Sequence, residues 1–131
     1  MAYLIDTHIY ICWVAEPSKL SPNLVELLSR RSSQVFVSAM VPREMCINQT
    51  IGKIEFDEKV LDIEDCTGFS TLDITPVHAK ATRQLPMIHR DPFDRILLAQ
   101  AMSEGLTFVT NDRQCLQYAH PELEVLDATK A

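Results

Sequence analysis

Short apolar runs alternate along this chain with longer segments in which apolar residues recur at helical spacing. Short runs rich in β-branched, aromatic and leucine residues are typical of buried strands. The pattern predicts strands at residues 2–6, 34–39, 70–75, 106–110 and 123–126, of which 70–75 is the weakest because Asp73 interrupts it.

Helical segments fill the intervals between these runs. Ser21 and Pro22 form a helix start, because Ser caps the first turn and Pro fits its first position. Asp91 and Pro92 give the same signal for a helix that Gly105 ends. Further segments are predicted at residues 7–13 (helix or loop), 42–51, 57–66 and 76–85. Strands that alternate with helices predict an α/β fold with a central parallel sheet covered on both faces.

Length and composition indicate one domain over residues 1–131. The chain is 47% hydrophobic and 23% charged, as is ordinary for a globular protein, and one domain usually has roughly 100–200 residues. Twelve basic against 18 acidic residues leave a net charge of −6, which argues against nucleic-acid binding through bulk charge. Contact with RNA or DNA then requires a local basic patch, a bound cation or a second subunit.

The four cysteines, Cys12, Cys46, Cys66 and Cys115, show no metal-binding spacing. Each has mostly apolar neighbours, so we expect small buried hydrophobic side chains instead of a zinc site or a disulfide framework. Reduced thiols predict a cytoplasmic protein. The N-terminal stretch lacks the basic start of a signal peptide, and no apolar run approaches the ~18 residues of a membrane span.

Acidic residues stand where strands end and where helices begin, in four separate parts of the chain. They are Asp6, Glu44, Asp94 and Asp112. Because ligands bind beyond the carboxyl ends of parallel strands, all four can face one crevice. Carboxylates in one place repel each other, and a hard divalent cation makes the arrangement favourable. The pattern predicts a metal-dependent hydrolase that holds Mg²⁺ or Mn²⁺, ions suited to phosphodiester cleavage.

Each acid also has an ordinary structural interpretation. Asp94 suits the first turn of a helix, where the dipole favours an acid, and Glu44 suits a surface position in such a turn. Asp112 suits a turn or cap. Asp6 has the weakest alternative, because a carboxylate at the end of an apolar strand is costly without a partner. The prediction therefore depends on the combination.

Neighbouring polar residues extend this predicted site. Thr7, Thr110 and Asn111 are candidates for contacts to a ligand, a water molecule or a phosphate. Arginines near the acids are candidates for phosphate contacts, although Arg95 also suits a salt bridge on its helix; the set is Arg43, Arg90, Arg95 and Arg113. The histidines are scattered and predict surface or capping roles.

Several segments together resemble the PIN-domain family, and within it the VapC-type toxins of bacterial toxin–antitoxin pairs. They are YLIDTHIYICW, the VSA strand followed by Glu44 and IGKIE, and LPMIHRDPFDRILLAQAMSEGLTFVTNDR. The resemblance covers nearly the whole chain, and HRDPFDRILLAQA joined to LTFVTND is its most specific part. It departs at Pro42-Arg43, where many relatives carry Leu-Trp, and at Asn48 and Thr50, where relatives often have basic residues.

This resemblance implies a three-layer α/β/α fold and a Mg²⁺- or Mn²⁺-dependent endoribonuclease that acts on an RNA substrate. It assigns catalysis and metal binding to Asp6, Glu44, Asp94 and Asp112. Asp91 is a neighbour more than a primary ligand, and a minor role for it stays open because it shares a helix face with Asp94. It also implies a homodimer and a cognate antitoxin that inserts a segment near the acidic pocket. The Pro42-Arg43 departure bears on substrate grip and antitoxin docking.

Two other functions remain open. One is a PIN-fold interaction module that is catalytically weak or inactive; the complete set of acids speaks against it, and the net charge of −6 speaks for it. The other is a phosphotransfer protein with Asp6 as nucleophile. That class wants a second acid near the end of the first strand, and His8 stands there instead.

Overall fold

One parallel sheet organises the fold. The computed structural model describes residues 1–86, 91–118 and 120–130. Within these ranges, five strands pair in the order β3-β2-β1-β4-β5, and every pairing is parallel. They are β1 (Ala2–Ile5), β2 (Gln34–Ser38), β3 (Ser70–Leu72), β4 (Thr107–Thr110) and β5 (Glu124–Asp127). The predicted central parallel sheet is confirmed.

Helices cover both faces of this sheet. Successive side chains of a strand point to opposite faces, yet neighbours on the central strands, Leu4 with Ile5 and Phe108 with Val109, are all fully buried. The described helices are α1 (Thr7–Ala15), α2 (Pro22–Ser29), α3 (Met40–Thr50), α4 (Ile63–Thr67), α5 (Pro76–Ala81) and α6 (Pro92–Glu104). The layers are therefore α/β/α, as predicted.

Side-chain caps fix where several helices begin. Asp6, Ser21, Thr75 and Asp91 each accept a hydrogen bond from a backbone N–H in the first turn of α1, α2, α5 and α6. Gly105 ends α6 with φ of 67°, a left-handed conformation that glycine adopts without strain. Asp6 therefore lies where the chain leaves β1 and caps α1, and Asp91 lies where the chain enters α6 and caps it. Both carboxylates are at the ends of elements.

Two predicted helices are shorter in the structure, because side chains from other elements donate hydrogen bonds to carbonyl groups of these segments. The segment predicted as one helix at residues 57–66 is a 3-10 helix at Glu58–Leu61 followed by α4, and the Tyr10 hydroxyl donates to the Val60 carbonyl at 2.5 Å. The helix predicted to reach residue 85 changes to a 3-10 turn at Thr82–Gln84. There the Arg95 guanidinium binds the Thr82 carbonyl at 2.8 Å.

Burial of the cysteines follows the prediction only in part. Cys12 and Cys115 are buried, whereas Cys46 and Cys66 are exposed, so the prediction was wrong for the second pair. Cys46 follows the buried Met45 on α3, and one residue along a helix turns the side chain ~100° away. Within the described residues, every helix is too short or too polar to cross a bilayer.

His78 joins α5 to α6 through a buried side chain. Its Nδ1 accepts from the Thr75 backbone N–H at 3.1 Å, so the ring hydrogen lies on Nε2, which donates to Glu104 Oε2 at 2.7 Å. The predicted capping role is confirmed, but the ring is only 1% exposed and is not a surface group. Gln100 adds a hydrogen bond from α6 to the Asp73 carbonyl at 3.3 Å.

We expect His78→Ala to lower the free energy of unfolding by about 1–3 kcal/mol, because the Thr75 N–H and the Glu104 carboxylate both lose a partner. Urea unfolding followed by circular dichroism measures the change. Glu104→Gln is the matched control, since it keeps a side-chain oxygen that accepts from Nε2–H and so has a smaller effect. Equal loss in both variants would contradict this account of the ring.

Candidate functional site

An acidic pocket lies beyond the carboxyl ends of β1 and β4. Its volume is about 410 Å³. The structure brings all four predicted acids to this one pocket, from four separate segments of the chain. Asp6, Thr7, His8, Glu44, Asp91, Asp94, Asn111 and Asp112 line it.

Asp6 forms the buried floor of the pocket. Its Oδ1 accepts from the Ile9 backbone N–H at 2.9 Å, and its Oδ2 accepts from the Thr110 hydroxyl. Burial raises the pKa of this carboxyl from its usual 3.8 to about 6; the two hydrogen bonds oppose the rise, and the nearby charges of Asp112 and Glu44 add to it. The backbone thus fixes a carboxylate that carries an electrostatic penalty at neutral pH.

Glu44 reaches the pocket from α3. It lies about one turn into that helix, and its Oε1 accepts from the Thr7 hydroxyl at 2.7 Å. Burial is the main cause that raises the pKa of this half-buried carboxyl, and the charge of Asp91 raises it further. The hydrogen bond from Thr7 lowers the pKa and so opposes both. Thr7 therefore orients an acid, and its hydroxyl hydrogen is already engaged there.

Thr110 ties two of the acids together behind the pocket wall. Its fully buried hydroxyl donates to Asp6 and accepts from the Asp112 backbone N–H at 3.0 Å. The side chain does not line the pocket, so it supports the site by positioning Asp6 and Asp112. Asp112 also caps the following turn, since its Oδ1 accepts from the Gln114 N–H at 2.8 Å.

Among the described residues, Asp94, Asp112 and Cys115 form a compact group of potential metal ligands. One ligand atom from each lies within 4.8 Å of the others. Burial raises the pKa of the Cys115 thiol, and the charges of Asp94 and Asp112 add to that rise. Since a thiol must lose its proton to become a strong ligand, the carboxylate oxygens are the stronger candidate donors. Oxygen donors fit Mg²⁺ or Mn²⁺.

The predicted arginines differ in where they lie. Arg43 and Arg113 are exposed and do not line the acidic pocket, and Arg90 lies outside the described residues. Arg95 donates to the carbonyls of Thr82 and Pro86 and to the Tyr118 hydroxyl. Its guanidinium therefore holds the segment before α6, which argues against the predicted phosphate contact.

Sequence reasoning missed two residues at the site. His8 lines the pocket, and its Nε2 lies 3.7 Å from Cys12 Sγ one turn along α1. Cys115 was interpreted only as a small buried residue, although its position three residues after Asp112 places it on the same turn. Spacing relative to the acids was the signal available for both.

A larger groove of about 630 Å³ lies elsewhere and is not the candidate site. Apolar side chains such as Met40, Ile74 and Ile96 line much of it. It contains none of the carboxylates that converge between β1 and β4. Size alone therefore does not locate the chemistry, whereas convergent ionisable groups with raised pKa values do.

Comparison with known proteins agrees with this geometry. The chain is similar to Ribonuclease VapC22 of Mycobacterium tuberculosis, with 29% identity over 121 residues that cover 90% of this chain and 92% of the relative. Its fold is similar to VapBC2 from Rickettsia felis, solved bound to a DNA fragment from their promoter, with a TM-score of 0.74 and 17% identity over 97% of this chain and 98% of that one.

The fold is also similar to VapBC-5 of Mycobacterium tuberculosis, a member of the VapBC family of toxin–antitoxin systems. That match has a TM-score of 0.59 and 16% identity, and it covers 96% of this chain and 98% of the other. A family model described as PIN domain matches residues 3–121, a range that contains every acid of the pocket. The chain belongs to the PIN-domain family.

Proposed function

We propose that this PIN-domain protein is a divalent-metal-dependent endoribonuclease, the toxin of a toxin–antitoxin pair. The observation that carries the proposal is the convergence of Asp6, Glu44, Asp94 and Asp112 in one pocket. Acids gathered in one pocket, with Asp6 buried at its floor, are costly unless a cation neutralises them. The likeness to Ribonuclease VapC22 supports RNA as the substrate.

The four carboxylates are the proposed holders of Mg²⁺ or Mn²⁺, with Asp91 in a minor role. When bound, such an ion activates water for attack and neutralises charge on the leaving oxygen of a phosphodiester. Asp6 is oriented for this role by the Ile9 N–H and by Thr110, and Glu44 is oriented by Thr7. The chain thus supplies two oxygen donors whose orientation is held by hydrogen bonds, and Asp94 and Asp112 bring further carboxylate oxygens within 4.8 Å of each other.

Partners follow from the same proposal. The VapBC-5 neighbour is a member of a toxin–antitoxin family, which supports a cognate antitoxin and a dimeric assembly for this chain. All four cysteine thiols are free, which supports a cytoplasmic location. The alternative, an interaction module without catalysis, draws on the net charge of −6 and on the engagement of Arg95 with carbonyls.

A cleavage assay separates the enzyme from the interaction module. We expect purified protein to cut single-stranded RNA internally when Mg²⁺ or Mn²⁺ is present, and EDTA to abolish the cutting, because the acids alone repel a phosphate. Gel analysis of end-labelled RNA measures both. Ca²⁺ serves as the control ion for ionic strength. RNA cleavage that persists at full rate in EDTA would refute metal dependence, and no cleavage with either ion would favour the module.

A further inference from the structure

A second pocket adjoins the acidic one and shares a wall with it. This Lys19 pocket has a volume of about 290 Å³, near the lower end of the ~300–1,000 Å³ typical of small-ligand sites. Asn111 lines both pockets. Ile9 of α1 lines the Lys19 pocket and directly follows His8, which lines the acidic pocket. A chain that lies across Asn111 therefore passes from the carboxylates into the Lys19 pocket.

The lining of the Lys19 pocket suits a ribonucleotide. Lys19 brings an ammonium group, Ser21 a hydroxyl at the N-terminus of α2, and Thr129 a hydroxyl beyond β5. The Ser21 oxygen accepts from the Leu24 N–H at 3.1 Å, so its hydrogen remains available as a donor. Thr129 donates to Asp127 at 2.6 Å, so its oxygen remains able to accept from a ribose 2′-hydroxyl.

The Lys19 pocket carries a positively charged side chain although it adjoins a pocket lined by acids. The Lys19 Nζ lies 2.9 Å from Glu16 Oε2, but both side chains are more than half exposed. Exposed pairs of this kind contribute little and exchange partners readily, so Lys19 is free to move to a phosphate. Hydrogen bonding to Glu16 raises the pKa of Lys19, and the group keeps its charge at neutral pH.

We propose that the Lys19 pocket binds the nucleotide next to the scissile phosphodiester, with Lys19 on its phosphate and Ser21 and Thr129 at its sugar. The inference rests on the proposed ribonuclease function and names a substrate contact for the same site. It accounts for how a chain of net charge −6 holds a polyanion: Lys19 supplies a positive charge in a pocket that shares Asn111 with the acidic pocket, where it attracts RNA without competing for the ion.

Lys19→Ala tests the proposal with a matched lysine as control. We expect the variant to lower kcat/KM for a single-stranded oligoribonucleotide by about three- to tenfold, mainly through KM, and to reduce the dependence of log KM on log salt by ~0.7. Lys19→Arg should recover most of the loss. Lys59→Ala is the control, because Lys59 is also exposed, lies 4.0 Å from Asp57, and does not line either pocket.

The substrate series locates the contact. Oligoribonucleotides shortened one nucleotide at a time on each side of the cut should lose affinity for wild type at one particular truncation, and Lys19→Ala should be insensitive to that truncation. Glu16→Gln, which releases Lys19 from its ion pair, should lower KM. Identical kinetics for Lys19→Ala and Lys59→Ala would overturn the inference while leaving the nuclease in place.

Failure of the nuclease itself would have a different signature. Wild type would then cut no RNA with either ion, and fluorescence anisotropy of the same oligoribonucleotides would test the pocket directly. Weaker binding by Lys19→Ala than by Lys59→Ala would support the Lys19 pocket as an RNA contact, and equal binding would overturn it.

Discussion

Asp6→Asn is expected to lower RNA cleavage by about 10³-fold or more while leaving the fold intact. In the proposed mechanism Asp6 is an ion ligand, and loss of one ligand removes several kcal/mol of transition-state stabilisation; each 1.4 kcal/mol is about tenfold in rate. The fold survives because an Asn side-chain oxygen still accepts the Ile9 N–H at the start of α1. Single-turnover cleavage of labelled RNA in Mn²⁺ measures the loss.

The same variant should be more stable than wild type when divalent ions are absent. The pKa of Asp6 is about 6 in the folded protein and 3.8 as its usual value, so between these pH values the folded state binds more protons than the unfolded state. Stability therefore falls as pH rises through this window, on the order of 3 kcal/mol in total. Asn does not ionise, so the stability of the variant does not fall in this way, although the variant loses the hydrogen bond that Thr110 donates to Asp6.

We expect Asp6→Asn to gain about 1–3 kcal/mol at pH 7 in EDTA and to approach wild type near pH 3.5, where the carboxyl is protonated in the folded state and mostly protonated in the unfolded state. Adding Mn²⁺ should stabilise wild type more than the variant. Urea titrations over pH 3.5–8 measure each arm. Asp57→Asn is the control, since Asp57 also caps a turn, at 3.1 Å from the Lys59 N–H, but outside the pocket. An ion-free variant less stable than wild type at pH 7 would contradict the electrostatic account of Asp6.

Local rules were sufficient for much of the fold. Ser21, Asp91 and Gly105 mark helix boundaries in the sequence, and the structure places boundaries at each of them. The strands were predicted to within two residues at each end, except that the third stops at Leu72. There the carbonyl of Asp73 turns to Gln100 on α6, a partner 27 positions away that no local pattern specifies.

One local contact and one long-range contact explain the other departures. The helix predicted at residues 42–51 begins at Met40, because Ser38 Oγ accepts the Met40 N–H at 3.0 Å within the turn that leaves β2. Tyr10 of α1, 50 positions away from its partner Val60, interrupts the segment at residues 57–66. Apolar periodicity identifies such helices, but the groups that bind their backbone are set by tertiary structure.

At the site, too, some features could be predicted from the sequence and others could not. The acids were predictable because ends of parallel strands share an edge, which gathers remote carboxylates without any knowledge of side-chain contacts. The roles of the threonine hydroxyls were not predictable. Thr7 and Thr110 were predicted to touch a ligand, yet their hydroxyl hydrogens are donated to Glu44 and Asp6. Which partner a hydroxyl chooses depends on distances that spacing along the chain does not give.

Thr110→Val is the variant that tests this positioning role, and we expect it to lower kcat/KM by about 10–100-fold. Valine keeps the shape but removes the donor to Asp6 and the acceptor for the Asp112 N–H. Because the Thr110 hydrogen bond lowers the pKa of Asp6, its loss should raise that pKa further. The acidic limb of the pH–rate profile should therefore move to higher pH.

Conservative and matched variants distinguish positioning from packing at this strand end. Thr110→Ser keeps the hydroxyl and loses only a methyl group, so it should restore most of the activity and the wild-type pH profile. Thr107→Val makes the same change at a buried position of β4 that does not line the acidic pocket, and it should leave the profile unmoved. If Thr110→Val and Thr110→Ser lose activity equally with no shift of the acidic limb, the hydroxyl is a packing group, and Asp6 is held by the Ile9 N–H alone. If the acidic limb shifts only in Thr110→Val, the Thr110 hydroxyl sets the pKa of Asp6 although it does not line the acidic pocket.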